Sequence, residues 1–276
     1  MTTNDNAAET AATDPTDDRM PARPRPPAKT FGQQVWSLLK ELVFVLVGAI
    51  IVSSLLRAFV GQMFIIPSQS MESTLLIGDR VVVQKLTDFH RGDVVVFQDP
   101  GGWLSDDEPA ADATPLDRVL EFVGVPTAST PGHLIKRVIG LPGDRVICCD
   151  SQDRITVNGQ SLDERSYLFT ASDGTQNAPS ELRFEVVVPR DRIFVMGDHR
   201  DLSADSRCHL NDVSIDQGRG QVAFPPIDLV VGPAFAVVSP LDRAARMRRP
   251  ATFDTIPAPS EPAPAEAVIK PEGVTC

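Results

Sequence analysis

Residues 133–149, HLIKRVIGLPGDRVICC, contain two short runs of Leu, Ile and Val on either side of a Leu-Pro-Gly-Asp turn. Short β-branched runs that end at Gly, Pro or Asp are typical of β-strands joined by tight turns. The Asn158-Gly159 pair predicts a hairpin turn of the same kind. The pattern recurs in DRVVVQKL (79–86), GDVVVFQD (92–99), RITVNGQSL (154–162), RFEVVV (183–188), RIFVM (192–196) and LVVGPAFAVV (229–238). The sequence therefore predicts a mainly β fold with antiparallel sheets.

The composition is that of a globular protein, with 276 residues, 42% hydrophobic and 23% charged. This length is enough for one sizeable domain or two small ones. The 24 prolines and 18 glycines suit a protein of strands and turns. The formal net charge of −11 argues against a nucleic-acid partner.

The long apolar run of the chain, LVFVLVGAIIVSSLL at 42–56, is uncharged. A helix of this length spans about 22 Å, short of the roughly 30 Å hydrocarbon core, so the helix must extend beyond the run at one end. Extension past Arg57, whose side chain can reach the interface, predicts a transmembrane anchor over 36–62. A cleaved secretory signal is the alternative, but no A-x-A site follows Leu56, which favours an uncleaved anchor.

The distribution of basic residues predicts the orientation of this anchor. By the positive-inside rule the N-terminus lies in the cytoplasm and the β domain outside, in a single-pass protein of the plasma membrane. The basic residues before the anchor are Arg19, Arg23, Arg25, Lys29 and Lys40, and those that follow closely are Arg57, Arg80 and Lys85.

The remaining domain boundaries follow from composition. Segments rich in Ala, Pro and polar residues bury too little apolar surface to offset chain entropy. We therefore expect a disordered N-terminus over 1–35, a β domain over 63–249 with an acidic, Pro-rich insertion at 99–131, and a disordered tail over 250–276. A short helix is predicted inside the insertion, around 116–124.

The four cysteines, Cys148, Cys149, Cys208 and Cys276, do not match a zinc-site spacing. In an oxidising compartment Cys208 could pair with Cys148 or Cys149. Free structural thiols are the alternative.

The segment IPSQSMESTL (66–75) follows the anchor closely and contains two candidate nucleophiles, Ser68 and Ser70. A serine hydroxyl needs a neighbouring base to become a good nucleophile. His199, in MGDHRDLSADSR, could form a Ser-His-Asp relay, but neither serine lies in a G-x-S-x-G elbow. Lys136 is the second candidate base.

Lys136 lies among Leu134, Ile135, Val138 and Ile139, in the pattern of a core strand. A lysine with its usual pKa is almost fully protonated at neutral pH, whereas burial lowers the pKa of a lysine by about 3–5 units. A drop of three units corresponds to about 4 kcal/mol, a cost that is reasonable in an active site. The alternative is a solvent-facing lysine that pairs with an acid.

The blocks IPSQSM, GDRVVV, IKRVIGLPGD and GDHRDLSADSR, in this order behind an N-terminal anchor, resemble the bacterial type I signal peptidases over roughly 36–243. These are membrane-bound serine endopeptidases with a Ser/Lys dyad, and their catalytic β fold is similar to that of self-cleaving repressors. The resemblance implies that Ser70 is the nucleophile and Lys136 the general base. It further implies that Ser68 and the Ser70 N–H form the oxyanion hole and that Ser203 orients the lysine amine. Other residues that match the family are Gly197 and Asp198, in the turn that presents Ser203, and Asp205 and Arg207, as a structural ion pair.

The same resemblance implies the substrate class. The family removes signal peptides from secretory preproteins after small residues, at sites of the A-x-A type, without a cofactor or metal. An extended substrate would add as a strand, in pockets lined by Phe64, Ile66, Pro67 and Ile135. The expected partners are preproteins, the lipid bilayer, on which VGQMFII (60–66) would rest, and the secretion translocon, with no nucleic acid.

Three residues depart from the family pattern: Ser73 stands where Pro is common, His199 where Asn is frequent and Leu202 where a polar residue is common. Loss of the proline predicts a looser segment after the nucleophile. Two other functions remain open at this point. One is a self-cleaving repressor-type protease, and the other is a non-catalytic, membrane-anchored β domain that binds partners.

Overall fold

The computed structural model describes residues 31–59, 61–104, 132–214, 218–271 and 276, and only the backbone of residues 33 and 55–59. The expectations for 1–30, for the helix near 116–124 and for most of the 99–131 insertion lie outside these residues.

A single helix, α1, covers Phe31–Phe59 and is about 43 Å long at 1.5 Å per residue. Its segment Gln34–Ser54 is long and apolar enough to cross a membrane. The helix begins earlier and ends earlier than the predicted anchor at 36–62. It ends before Gly61, the first residue of a strand.

The larger sheet has seven antiparallel strands: β1 (Gly61–Ile65), β2 (Arg80–Gln84), β3 (Val94–Gln98), β4 (His133–Gly140), β9 (Phe194–Met196), β12 (Val230–Ser239) and β13 (Ala245–Arg246). Their order in the sheet is β1-β2-β12-β3-β4-β9, and β13 pairs with β12.

The smaller sheet has five antiparallel strands: β5 (Arg145–Cys148), β6 (Ile155–Val157), β7 (Gln160–Ser161), β8 (Phe184–Val187) and β14 (Val268–Lys270). Their order in the sheet is β14-β8-β5-β6-β7, and a separate ribbon contains β10 (Val213–Ser214) and β11 (Gly218–Arg219). Asn158 and Gly159, with φ of 50° and 82°, form the turn between β6 and β7, as the Asn-Gly pair predicts. The prediction of a mainly antiparallel β fold is confirmed.

Most of the segment 60–66, expected to rest on the bilayer surface, forms strand β1. Residues Gly61–Ile65 pair one by one with β2. Phe64 and Ile66 are buried in a hydrophobic cluster with Met71 and Leu75. The segment 66–75, which contains Ser70, is therefore anchored to the domain through this hydrophobic cluster.

The prediction of a disordered tail over 250–276 is wrong for the described residues. Ala251–Thr255 form a 3-10 helix and β14 pairs with β8. Phe253 and Ile256 are buried in the core of the smaller sheet. A few well-spaced apolar side chains are enough to hold a proline-rich segment when a distant part of the fold supplies the matching surface.

Both expectations for the cysteines are wrong. Cys208 is bonded to Cys276, Cys148 is bonded to Cys149, and no described cysteine is free. The pairing of Cys208 follows from the ordered C-terminal segment, because that segment returns to the domain and brings Cys276 next to Cys208.

Candidate active site

Lys136 lies in the middle of β4, where it pairs with Val95 of β3. It is 4% exposed. Its Nζ donates a hydrogen bond to Ser70 Oγ at 2.5 Å, across 66 residues of sequence. The structure thus brings together the serine and the lysine that the sequence analysis selected.

Ser70 lies in a 3-10 turn, Gln69–Met71, directly after the strand-like segment that buries Ile66. The hydroxyl is buried, and its second neighbour is the Ser68 hydroxyl at 3.3 Å. Ser68 itself is exposed. A small molecule or peptide that reaches Ser68 from solvent would therefore meet both hydroxyls.

Burial lowers the pKa of Lys136 to about 8, because the apolar surroundings disfavour the charged amine. The carboxylates of Asp205 and Asp198 oppose this shift, and the guanidinium of Arg207 adds to it. A lysine with a pKa of about 8 is neutral in about one molecule in ten at pH 7. It can therefore accept a proton from a hydroxyl, unlike an ordinary surface lysine.

The Asp205–Arg207 pair is buried beneath the site, with Arg207 Nε donating to Asp205 Oδ1 at 2.9 Å. Asp205 also accepts the N–H of Gly197 at 2.9 Å. These bonds and the neighbouring guanidinium hold the pKa of Asp205 below its usual range despite complete burial. The pair fixes the loop that follows β9.

Ser203 lies in this loop and is buried, but among the described residues its Oγ makes no hydrogen bond of normal geometry. The structure therefore does not give the expected bond between Ser203 and the Lys136 amine. The hydroxyl lies beside Gly197, where a Cβ would overlap both Ser203 Oγ and Ser70 O. Gly197 is thus required by close packing. The Ser203 hydroxyl is also near enough to Asp205 to help lower the pKa of that carboxyl.

Asp198 connects three parts of the site. Arg137 donates to both of its carboxylate oxygens, at 2.8 and 2.5 Å, and Thr74 Oγ1 donates to Oδ2 at 2.5 Å. Arg137 also stacks over the ring of Tyr167, with 4.3 Å from its guanidinium carbon to the ring centroid. Sequence reasoning missed Arg137 and Thr74. One sign of their importance is visible in the sequence, where Arg137 follows Lys136 directly and Thr74 lies four residues after Ser70.

His199 is not placed as a base for Ser70. Its Nδ1 lies 3.2 Å from Glu72 Oε2, and its ring stacks on Phe169 with the centroids 3.8 Å apart. Within the described residues, the hydrogen-bond partners of Ser70 Oγ are Lys136 and Ser68. The geometry therefore favours the lysine and leaves the Ser-His-Asp relay without support.

The side chains expected to line the substrate pockets are grouped next to the dyad. Phe64, Ile66 and Ile135 belong to one hydrophobic cluster and are at most 6% exposed, and the Pro67 side chain is exposed. Among the described strands, β1 lies at an edge of the sheet, and β9 pairs with β4 only from Arg137 onward. The arrangement can accept an extended peptide.

Comparisons with known proteins identify the family of this chain. The family model described as signal peptidase, peptidase S26, matches residues 39–238. A protein of Mycobacterium leprae named "Probable signal peptidase I" is 34% identical over 235 residues, covering 75% of this chain and 78% of that one. Signal peptidase I of Mycobacterium tuberculosis is 32% identical over 230 residues, covering 75% and 74% of the two chains.

Signal peptidase I of Bacillus licheniformis is 30% identical over 199 residues, covering 69% of this chain and 90% of that one. The family match covers most of the apolar helix, the 3-10 turn that contains Ser70 and the strand that contains Lys136. The chain therefore belongs to the signal peptidase family, peptidase S26, and is a peptidase.

Proposed function

We propose that this protein removes N-terminal signal peptides from secreted preproteins after small residues, at sites of the A-x-A type, with Ser70 as nucleophile and Lys136 as general base. The observation that carries the proposal is the contact of 2.5 Å between Lys136 Nζ and Ser70 Oγ, in which both side chains are buried. A hydroxyl becomes nucleophilic when a base of suitable pKa lies within hydrogen-bond distance.

In the first step the neutral Lys136 amine takes the proton of Ser70 Oγ as this oxygen attacks the carbonyl carbon of the scissile bond. The bond between Oγ and the carbonyl carbon forms, and the carbonyl oxygen carries the negative charge. When the C–N bond breaks, Lys136 returns the proton to the leaving amine. The signal peptide is then held as an ester on Ser70.

In the second step a water molecule attacks the ester. Lys136 takes one proton of this water and returns it to Ser70 Oγ as the ester bond breaks, which restores the serine and releases the signal peptide as an acid. In both steps the Ser68 hydroxyl, which lies 3.3 Å from Ser70 Oγ, would donate to the oxyanion together with the Ser70 N–H. A donor of this kind is typically worth about 3–4 kcal/mol of barrier.

The substrate would bind as an added strand between β1 and the open part of β4. Main-chain hydrogen bonds would hold the peptide, and its alternate side chains would point to the apolar cluster. Phe64, Ile66 and Ile135 are buried in that cluster. We therefore expect the peptide to present Ala-sized residues to it, at the first and third positions before the cut.

The helix α1 would anchor the protein in the plasma membrane, with the N-terminus in the cytoplasm and the β domain outside. Its length and apolar surface support the anchor. Translocated signal peptides emerge at that face of the membrane, so the secretion translocon is an expected neighbour.

The test is cleavage of a purified preprotein with one Ala-x-Ala site by the full chain in detergent. We expect a single cut after the second Ala, and complete loss of cleavage in Ser70→Ala and Lys136→Ala. Thr87→Ala, on an exposed loop, is the control for the effects of substitution and purification, and should cleave at the wild-type rate. An inactive wild type would favour a binding domain, and cleavage by Lys136→Ala would exclude the lysine base.

A further inference from the structure

The segment that presents Ser70 has little local restraint of its own. Its 3-10 helix contains three residues, and the Ser68 side chain makes no capping hydrogen bond. Such short turns are weakly held by their own hydrogen bonds. Ser73, three residues after the nucleophile, has φ of 88°, in the left-handed region that a proline cannot adopt. Contacts from elsewhere in the fold must therefore set the position of Ser70.

His199 makes two such contacts, one with its backbone and one with its ring. The His199 N–H donates to Ser70 O at 3.1 Å. The ring Nδ1 lies 3.2 Å from Glu72 Oε2, and because a carboxylate only accepts, Nδ1 carries the proton and donates. One residue thus holds the segment at the nucleophile and again two residues later.

The ring of His199 is itself fixed. It is 6% exposed and stacks on Phe169 with an interplanar angle of 15°. Phe169 is in turn held by its backbone N–H, which donates to Asp198 O at 3.1 Å. The Glu72 side chain is 27% exposed, and its carboxylate contacts the fixed imidazole.

We propose that His199 and Glu72 are positioning residues that keep Ser70 Oγ within proton-transfer distance of Lys136. This inference rests on the proposed function and adds to it a pair with no direct contact to the reacting atoms. The hydrogen bond, rather than the aromatic stack, is the part that matters for the reaction. A displacement of about 1 Å in such a dyad can cost about 100-fold in rate.

Two substitutions separate the hydrogen bond from the stack. His199→Asn places an amide N–H near the position of Nδ1 and removes the ring. His199→Phe keeps a ring against Phe169 and removes the donor. We expect kcat to fall about 10- to 100-fold in His199→Phe and by no more than about threefold in His199→Asn, with KM in both within about twofold of wild type. Glu72→Met removes the acceptor and should lower kcat, and its effect should not add to that of His199→Phe.

A matched control exists elsewhere in the domain. His209 also stacks on an aromatic ring, Trp103, and its Nδ1 lies 2.6 Å from Asp212 Oδ2. His209→Phe and His209→Asn should change the Tm without changing kcat. Each variant is therefore compared for both Tm and kcat on the same preprotein.

The outcomes separate the two proposals. Equal kcat values in wild type and His199→Phe, or equal losses in His199→Phe and His199→Asn that follow their Tm, would overturn the positioning role while leaving the peptidase intact. Absence of cleavage by wild type would overturn the proposed function itself. A loss in His199→Phe that His199→Asn rescues, with His209 variants unaffected, would establish the pair.

Discussion

Lys136 is 4% exposed, and its amine lies 2.5 Å from the Ser70 hydroxyl. Desolvation lowers its pKa from 10.5 to about 8, a shift that corresponds to about 3 kcal/mol. The carboxylates of Asp205 and Asp198 limit the shift, because their negative charge favours the protonated amine. The protein thus tolerates a destabilised ammonium in exchange for an amine that is partly neutral near physiological pH.

The first prediction concerns the pH dependence of cleavage. Only the neutral amine accepts the serine proton, so kcat/KM should rise with pH and level off above about 8. Between pH 8 and pH 6 we expect a fall of about 50-fold, since the neutral fraction of an amine with a pKa of about 8 falls from about one half to about one in a hundred. Initial rates on a preprotein without titrating residues near the cut would measure it. A rate that stays flat down to pH 5 would exclude a lysine base.

The second prediction concerns stability. Between pH 8 and 10.5 the unfolded chain binds more protons at Lys136 than the folded one, so this lysine lowers stability below pH 8 and the effect disappears as pH rises through 10.5. Lys136→Met removes the buried charge and should raise the free energy of unfolding at pH 7 by about 1–3 kcal/mol while abolishing cleavage.

Denaturant unfolding of both proteins at pH 7 and pH 10.5 would measure this gain, which should shrink at the higher pH. A Met variant that is less stable than wild type at pH 7 would show that the amine is a net stabiliser. Lys85→Met, on an exposed lysine, controls for a general effect of the substitution.

Sequence patterns identified Ser70 and Lys136 because their chemistry depends on residue type and local context. The residues around them were not predictable in the same way. Glu72 and His199 are 127 residues apart, and Arg137 and Asp198 are 61 apart. The motif GDHRDLSADSR singled out Asp198 and His199, but Glu72 and Arg137 look like ordinary surface charges until the fold brings them to these partners. Ser203 is the opposite case. Its motif matched the family, but in the structure its hydroxyl makes no bond to the Lys136 amine.

At the level of elements, the strands with strong β-branched patterns were predicted and those without them were not. β3, β4 and β12 have continuous apolar runs, and their positions follow from the sequence. β1 lies in the run 60–66, which was expected to rest on the bilayer surface, and β14 was missed in a proline-rich segment. In both cases the pairing partner, β2 or β8, decides the structure, and local composition contains no information about that partner.

The third prediction tests the ordered C-terminal segment. The Phe253 side chain is 4% exposed and packs against Gly92, where a Cβ would overlap its ring. Phe253→Ala should lower the free energy of unfolding by about 3–5 kcal/mol because it leaves a cavity in the core. Phe235→Ala is the matched control, since Phe235 is 38% exposed, and should cost less than about 1 kcal/mol. Equal small effects would show that the segment does not stabilise the domain.

Over the whole molecule, the cysteines agree with the predicted location of the β domain outside the cytoplasm. Disulfides persist in oxidising compartments and are rare in the cytosol. Both Cys148–Cys149 and Cys208–Cys276 lie in the part of the chain that follows α1. The predicted orientation, with this part outside the cytoplasm, is therefore the one in which its disulfides can form.

The fourth prediction is the membrane topology. More Lys and Arg residues precede α1 than closely follow it, and basic flanks are retained in the cytoplasm. In intact spheroplasts of an expressing bacterium, added protease should therefore degrade the β domain and leave an N-terminal epitope tag protected until the membrane is permeabilised. Replacing Arg19, Arg23, Arg25 and Lys29 by Gln should yield a mixture of orientations, whereas the same change at Arg246 and Arg248 should not. An N-terminal tag that is digested in intact cells would invert the topology and place Ser70 where no translocated signal peptide arrives.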